Sequence, residues 1–175
     1  MPTYGVAVTI PDPHSAALTL ARRDAGDPMA GAIPPHVTLL PPTELTDEDL
    51  ADFEAHLDGV ASRFGAFSMN LSGTGTFRPL SPVVFVQVSR GISSCERLES
   101  DIRSGPVHRV LDFPYHPHVT IAHHLPDDRL DLAFDALGDY RAGFVVDAFD
   151  LYAQDGDGVW RPRRRFTLQA DAAGE

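Results

Sequence analysis

Apolar and polar positions alternate over several short stretches of the chain, the two-residue period of a strand with one covered face. Tyr4, Val6, Val8 and Ile10 mark such a strand over 4–10. Others are read at 36–40, 66–76, 83–90, 118–124, 144–154 and 158–168. Between them the apolar period lengthens to that of a helix, at 14–24, 47–64, 93–103 and 127–139. The clearest helix is 47–64, where Leu50, Phe53, Leu57 and Ala61 fall on one stripe. Thr46 stands at its N-cap and Asp49 at the capping-box position, so Asp47-Glu48-Asp49 reads as favourable charge at a helix start. Prolines at 34–35, 41–42, 79–82, 114 and 117 are expected to break these elements. This is an α+β pattern over one domain, residues 1–170, with 171–175 read as a frayed tail.

The chain repeats itself. Pro35-His36-Val37-Thr38-Leu39 returns as Pro117-His118-Val119-Thr120-Ile121, an offset of 82 residues. The same shift carries the order strand, helix, strand, helix, strand of about 3–82 onto 83–168. From composition alone, a match of that length beside another histidine has a chance on the order of 10⁻³ to 10⁻⁴. Two similar lobes related by a pseudo-two-fold axis are expected.

On a strand, His36 and Thr38 face one way and Val37 and Leu39 the other; His118 and Thr120 likewise oppose Val119 and Ile121. The aliphatic face suits a cover of helices. The other face then brings an imidazole and a hydroxyl from each lobe to the walls of one cleft. Two imidazoles can exchange protons near neutral pH, and two hydroxyls can hold anionic oxygens. Such a set suits in-line substitution at phosphorus and needs no metal or other cofactor. The alternative for each histidine is a packed residue at a strand start.

Composition narrows the choice. Of 175 residues, 43% are hydrophobic, and the net charge of −11 arises from 25 acidic residues against 14 basic ones, all arginine. That excludes lysine chemistry and argues against a polyanion-tracking surface, so long duplex nucleic acid is not an expected partner. The single cysteine, Cys95, the lack of a long apolar run and the N-terminus without a basic start suggest a cytoplasmic protein without a membrane partner.

The paired motifs HVTL at 36–39 and HVTI at 118–121 resemble those of the 2H phosphoesterase superfamily, and FPYHPHVTIA at 113–122 is similar to its second motif with the lead-in. Within that superfamily the branch of 2′-5′ RNA ligases and RNA 2′,3′-cyclic phosphodiesterases is the most similar, over about residues 3–168. The resemblance implies a bilobal fold of two antiparallel sheets around a central groove, with helices on the outer faces. It implies metal-independent opening of a cyclic phosphodiester on a small nucleotide or RNA end. It gives His36 the part of acid and His118 that of base, with Thr38 and Thr120 on the phosphate. RNA end-joining through a 2′-5′ linkage and nucleotide binding without turnover are the alternatives. The branch commonly has a basic residue after the second motif; here that place reads His123-His124.

Further candidates surround these four. His116, His118, His123 and His124 invite a zinc reading, but His36 has no such companions, and no metal is expected. His116 and His123 are read as rim residues, His14, His56 and His108 as surface or loop. Arg161, Arg163 and Arg165 alternate along the last strand, opposite Trp160, Arg164 and Phe166. Arg163, Arg165 or Arg78 could grip phosphate in fork geometry, or the last strand could simply be a charged edge. Phe77, Phe85 and Tyr115 could stack a base, or lie in the core.

Overall fold

The computed structural model describes residues 1–170; the expected tail at 171–175 lies outside the described residues. Strands are β1 (Thr3–Thr9), β2 (His36–Glu44), β3 (Phe67–Thr76), β4 (Val83–Arg90), β5 (His118–His123), β6 (Arg141–Val146), β7 (Ala148–Gln154) and β8 (Trp160–Thr167). Helices are α1 (His14–Asp24), α2 (Asp47–Arg63), α3 (Ile92–Arg103) and α4 (Asp127–Ala136), with a 3₁₀ turn at Pro28–Gly31. The α2 capping box forms as the sequence suggests: Asp49 N–H donates to Thr46 Oγ1 at 3.1 Å, and Thr46 N–H donates to the Asp49 carboxylate at 3.4 Å. Among the described residues no helix is long and apolar enough to cross a membrane.

The expectation of two sheets is corrected. All eight strands belong to one curled antiparallel sheet, ordered β6-β3-β4-β5-β2-β1-β7-β8. The join is made where the repeated motifs meet, at Val37 opposite Val119. That one pair bridges the two halves of the sheet, while the longer ladders of β2 and β5 run to β1 and β4.

The order also shows an exchange. β3, from the first half of the chain, pairs with β4, and β7, from the second, pairs with β1. One face of the sheet is covered by helices: Val37, Leu39, Val119 and Ile121 are essentially fully buried with Leu18, Phe53, Leu57, Leu98, Ile102 and Leu130 in a single core. Each such side chain contributes roughly 1.5–3 kcal/mol by leaving water. His36, Thr38, His118 and Thr120 alternate onto the opposite, concave face, each half-buried.

Two expected boundaries moved. β2 runs through Pro41-Pro42, because the β1–β2 register is already irregular near Tyr4 and Val6, and β5 pairs with β2 at Val37 rather than out here. The stretch 144–154 is two strands, β6 ending at Val146 and β7 starting at Ala148, so Asp147 turns the chain between opposite regions of the sheet.

Candidate active site

Continuing the antiparallel register one step either side of Val37 and Val119 sets His36 beside Thr120 and Thr38 beside His118. The four side chains form a square on one face, with the histidines at diagonal corners. Diagonal neighbours on paired strands lie about 7–8 Å apart, room for one phosphoryl group between two imidazoles.

Each ring is fixed by its own backbone. His36 Nδ1 donates to the Pro34 carbonyl at 2.8 Å and His118 Nδ1 to the His116 carbonyl at 2.6 Å. The same i−2 bond in both motifs leaves Nε2 as the free nitrogen of each ring. Burial lowers the pKa of His36 from 6.5 to about 4, with smaller lowering by Arg22 and His118. Burial lowers that of His118 as well, opposed by the bond to the His116 carbonyl and reinforced more weakly by the charge of the His116 ring.

These shifts have a stability consequence. Between pH 6.5 and about 4 the unfolded chain carries a proton on His36 that the native state lacks. Stability therefore rises with pH across that window and falls as pH drops through it. Urea melts at pH 4.5, 5.5 and 6.5 should show the midpoint climbing, and His36→Gln should flatten the climb; an unchanged slope in the variant would contradict the assignment.

The surroundings of the two rings differ. Thr9 lies opposite His36 on β1, and its hydroxyl donates to Asp150 at 2.7 Å and shares a short hydrogen bond with Tyr152. His118 instead sits among aromatic rings, with Phe77 edge-on at 5.0 Å, Phe85 at 5.2 Å and His116 at 5.7 Å. Phe85 can lie there because its strand partner is Gly75; a Cβ on Gly75 would come within 2.6 Å of the Phe85 ring. Phe77 and Phe85, read as base-stacking or core residues, pack around His118; Phe85 is buried, and Phe77 also lines the cleft beside the square. Tyr115 donates its hydroxyl to the Thr38 carbonyl at 2.7 Å, tying the loop before β5 to β2.

A cleft of about 580 Å³ opens beside the square. Thr38, His118 and Thr120 line it with Phe77, Tyr115 and His123. The His123 backbone N–H donates to Asp27 at 3.1 Å, and Asp27 also holds Arg22 at 2.9 Å and Met29 N–H at 2.8 Å. Both Asp27 and Arg22 are buried, so this knot pins α1 and the 3₁₀ turn to the end of β5.

The arginines part company with the sequence reading. Two residues of β8 answer one step of β7 between Leu151 and Tyr152, so Arg163 is extra and the alternation breaks. Arg163 and Arg164 both turn to α2, pairing with Glu54 at 3.1 Å and Asp58 at 2.7 Å. Arg161 pairs with Asp155 and Asp157 in the preceding turn. Arg165 alone of the four faces the concave side, 3.5 Å from Asp150. Arg78 is held by Asp131 at 2.9 Å and Asp127 at 3.5 Å on α4. His56 is no free surface residue either: its Nε2 bonds the Asp101 carbonyl at 2.9 Å, at the end of α3.

Among the described residues no three His, Cys, Asp or Glu side chains converge to hold a metal ion. The four-histidine stretch divides into His116 with His118 and a stacked His123–His124 pair 3.7 Å apart. Sequence reasoning missed Arg109, the one arginine lining the cleft among the described residues. Only the structure shows the difference: the registers match Thr9 with Gln87, an offset of 78, while the histidines are offset by 82, so the second half holds four more residues there, one in α3 and three in the loop carrying Arg109.

A family profile described as the 2′-5′ RNA ligase superfamily matches residues 10–158. A Bacillus pumilus protein named "putative phosphoesterase" is 30% identical over 173 residues, 94% of this chain and 96% of its own. One from Bacillus thuringiensis with that name is 29% identical over 147 residues, 81% of this chain and 83% of its own. Among solved structures, Escherichia coli LigT complexed with 3′-AMP superposes with a TM-score of 0.67 at 18% identity, over 96% of this chain and 99% of that one. LigT has also been solved with ATP and with phosphate. On the match over residues 10–158, both histidine motifs included, this chain belongs to the 2′-5′ RNA ligase superfamily.

Proposed function

We propose that this protein is a phosphoesterase that hydrolyses a cyclic phosphodiester, a 2′,3′-cyclic nucleotide or a close relative, with His36 and His118 as a general acid–base pair. The observation that carries the reading is the Val37–Val119 pairing, which sets two HxT motifs side by side with diagonal imidazoles. The names of the Bacillus relatives and the nucleotides held by LigT agree with it.

One Nε2 takes a proton from water as its oxygen bonds to phosphorus. The bond to one ring oxygen of the diester breaks, and the other Nε2 protonates that oxygen, so the product is a phosphomonoester with a free hydroxyl. Thr38 and Thr120 donate to the non-bridging oxygens, where charge accumulates. Both rings are neutral in the free protein at pH 7 by virtue of their burial. The bound anion raises both pKa values and allows one imidazolium between them. The resemblance assigns that proton to His36; Arg22 opposes it there, and the phosphate favours it.

Hydrolysis of the four 2′,3′-cyclic mononucleotides tests the reading, with turnover expected to survive a chelator. The leaving group separates the roles. On bis-p-nitrophenyl phosphate, whose leaving oxygen needs no proton, the defect of His36→Ala should shrink by about tenfold or more, while that of His118→Ala persists. The opposite pattern exchanges acid and base. Chelator-sensitive turnover, or none on any cyclic diester, removes the proposal.

A further inference from the structure

The loop before β5 ends on the catalytic motif, and its side chains are unusually bare. Val110 is 88% exposed and Phe113 71%; across the cleft, in the turn between β3 and β4, Leu80 is 85% exposed. These are three of the four most exposed large apolar side chains among the described residues, and all three line the cleft that holds His118 and Thr120. Scattered single apolar residues on a surface mean little, but convergence on one mouth marks a binding site.

Charge limits what fits. Arg109 lines the cleft, but Asp112 lines it too, and Arg78, Arg163 and Arg165 are taken up by carboxylates. Among the described residues no row of free cations continues from the histidine square to receive a second or third phosphate, each of which would seek one. The volume, about 580 Å³, is that of a site for one small molecule, for which roughly 300–1,000 Å³ is usual.

We propose that Leu80, Val110 and Phe113 form an apolar clamp for the base of a single nucleotide, and that the substrate is a mononucleoside cyclic phosphate rather than the end of an RNA chain. This rests on the cyclic-diester reading of the histidine square and adds what the rest of the substrate is. The base lies between the β3–β4 turn and the longer loop, its flat faces against aliphatic and aromatic carbon, with the phosphate at His118. Tyr115 holds the base of that loop to β2 through the Thr38 carbonyl, so the clamp and the phosphate site share one frame.

Three substrates test this: adenosine 2′,3′-cyclic phosphate, a five-nucleotide RNA ending in the same group, and glycerol 1,2-cyclic phosphate, which keeps the strained ring and lacks a base. The native protein should favour the mononucleotide over both in kcat/KM. In the triple variant Leu80→Ser, Val110→Ser, Phe113→Ser the ratio of mononucleotide to glycerol diester should fall threefold or more. A smaller fall, or a pentanucleotide preferred by the native protein, overturns the clamp. If the native protein turns over none of the three, it is the cyclic-diester reading that fails. The clamp is then judged by calorimetry with 3′-AMP, where binding weakened threefold or more in the triple variant upholds it and unchanged binding overturns it.

Discussion

His36→Ala and His118→Ala should each lower kcat on a 2′,3′-cyclic nucleotide by about 10²–10⁴-fold, the usual worth of a positioned proton-transfer group. Both proteins should stay folded. The two rings stand on the concave face, half-buried and outside the aliphatic core that α1 to α4 cover, and each bonds only a carbonyl two residues back. Near-native circular dichroism together with a collapsed rate is the expected pair of results. The double variant should be little worse than the poorer single one, because either group without its partner leaves the same proton stranded. A double variant whose losses multiply would mean that the rings act in separate steps. Either single variant retaining near-native turnover would remove the acid–base scheme.

The largest stability effect is expected away from the histidines, at Asp27. Its buried carboxylate meets the buried Arg22 and two partly buried backbone N–H groups. Asp27→Ala leaves a buried guanidinium without a counter-charge, a change that costs about 3–5 kcal/mol. For a chain of this size the midpoint of thermal unfolding should drop by roughly 10 °C. The charge-free pair Arg22→Met with Asp27→Leu should recover much of that loss, since the penalty lies in the orphaned charge more than in the missing bond. Scanning calorimetry on the three proteins decides the matter, and a single variant melting within two degrees of the native chain would show the knot to be dispensable. Asp27→Ala should also slow catalysis, because the lost His123 N–H bond frees the end of the strand that carries Thr120.

Local signals in the sequence placed most elements. The stripe of Leu50, Phe53 and Leu57 and the Thr46–Asp49 box located α2 to within a residue, because capping and periodicity are properties of neighbouring residues. The three-residue HxT pattern set the facing of the site for the same reason. What escaped the sequence depends on pairing between distant segments. Nothing local to Val37 or Val119 says that their strands join, so one sheet reads as two. Nothing near Arg163 announces the extra residue that turns it toward Glu54, and strict alternation assigns it to the wrong face. Phe77 and Phe85 are ambiguous by composition, since a ring that stacks on a base and one that buttresses a histidine look alike until Gly75 is seen beneath Phe85. Arg109 was overlooked because its loop has no period at all.

The crossing of β3 to β4 and of β7 to β1 means that neither sequence half owns a complete wall of the site. Severed at residue 80, each fragment would expose a strand, β3 on the first and β6 on the second, all of whose pairing lies on the other piece. The two halves of the chain are therefore woven rather than stacked, and the seam between them runs under the two imidazoles. Strain or loosening on either side of that seam reaches both rings together, which ties the precision of the chemistry to the integrity of the entire sheet.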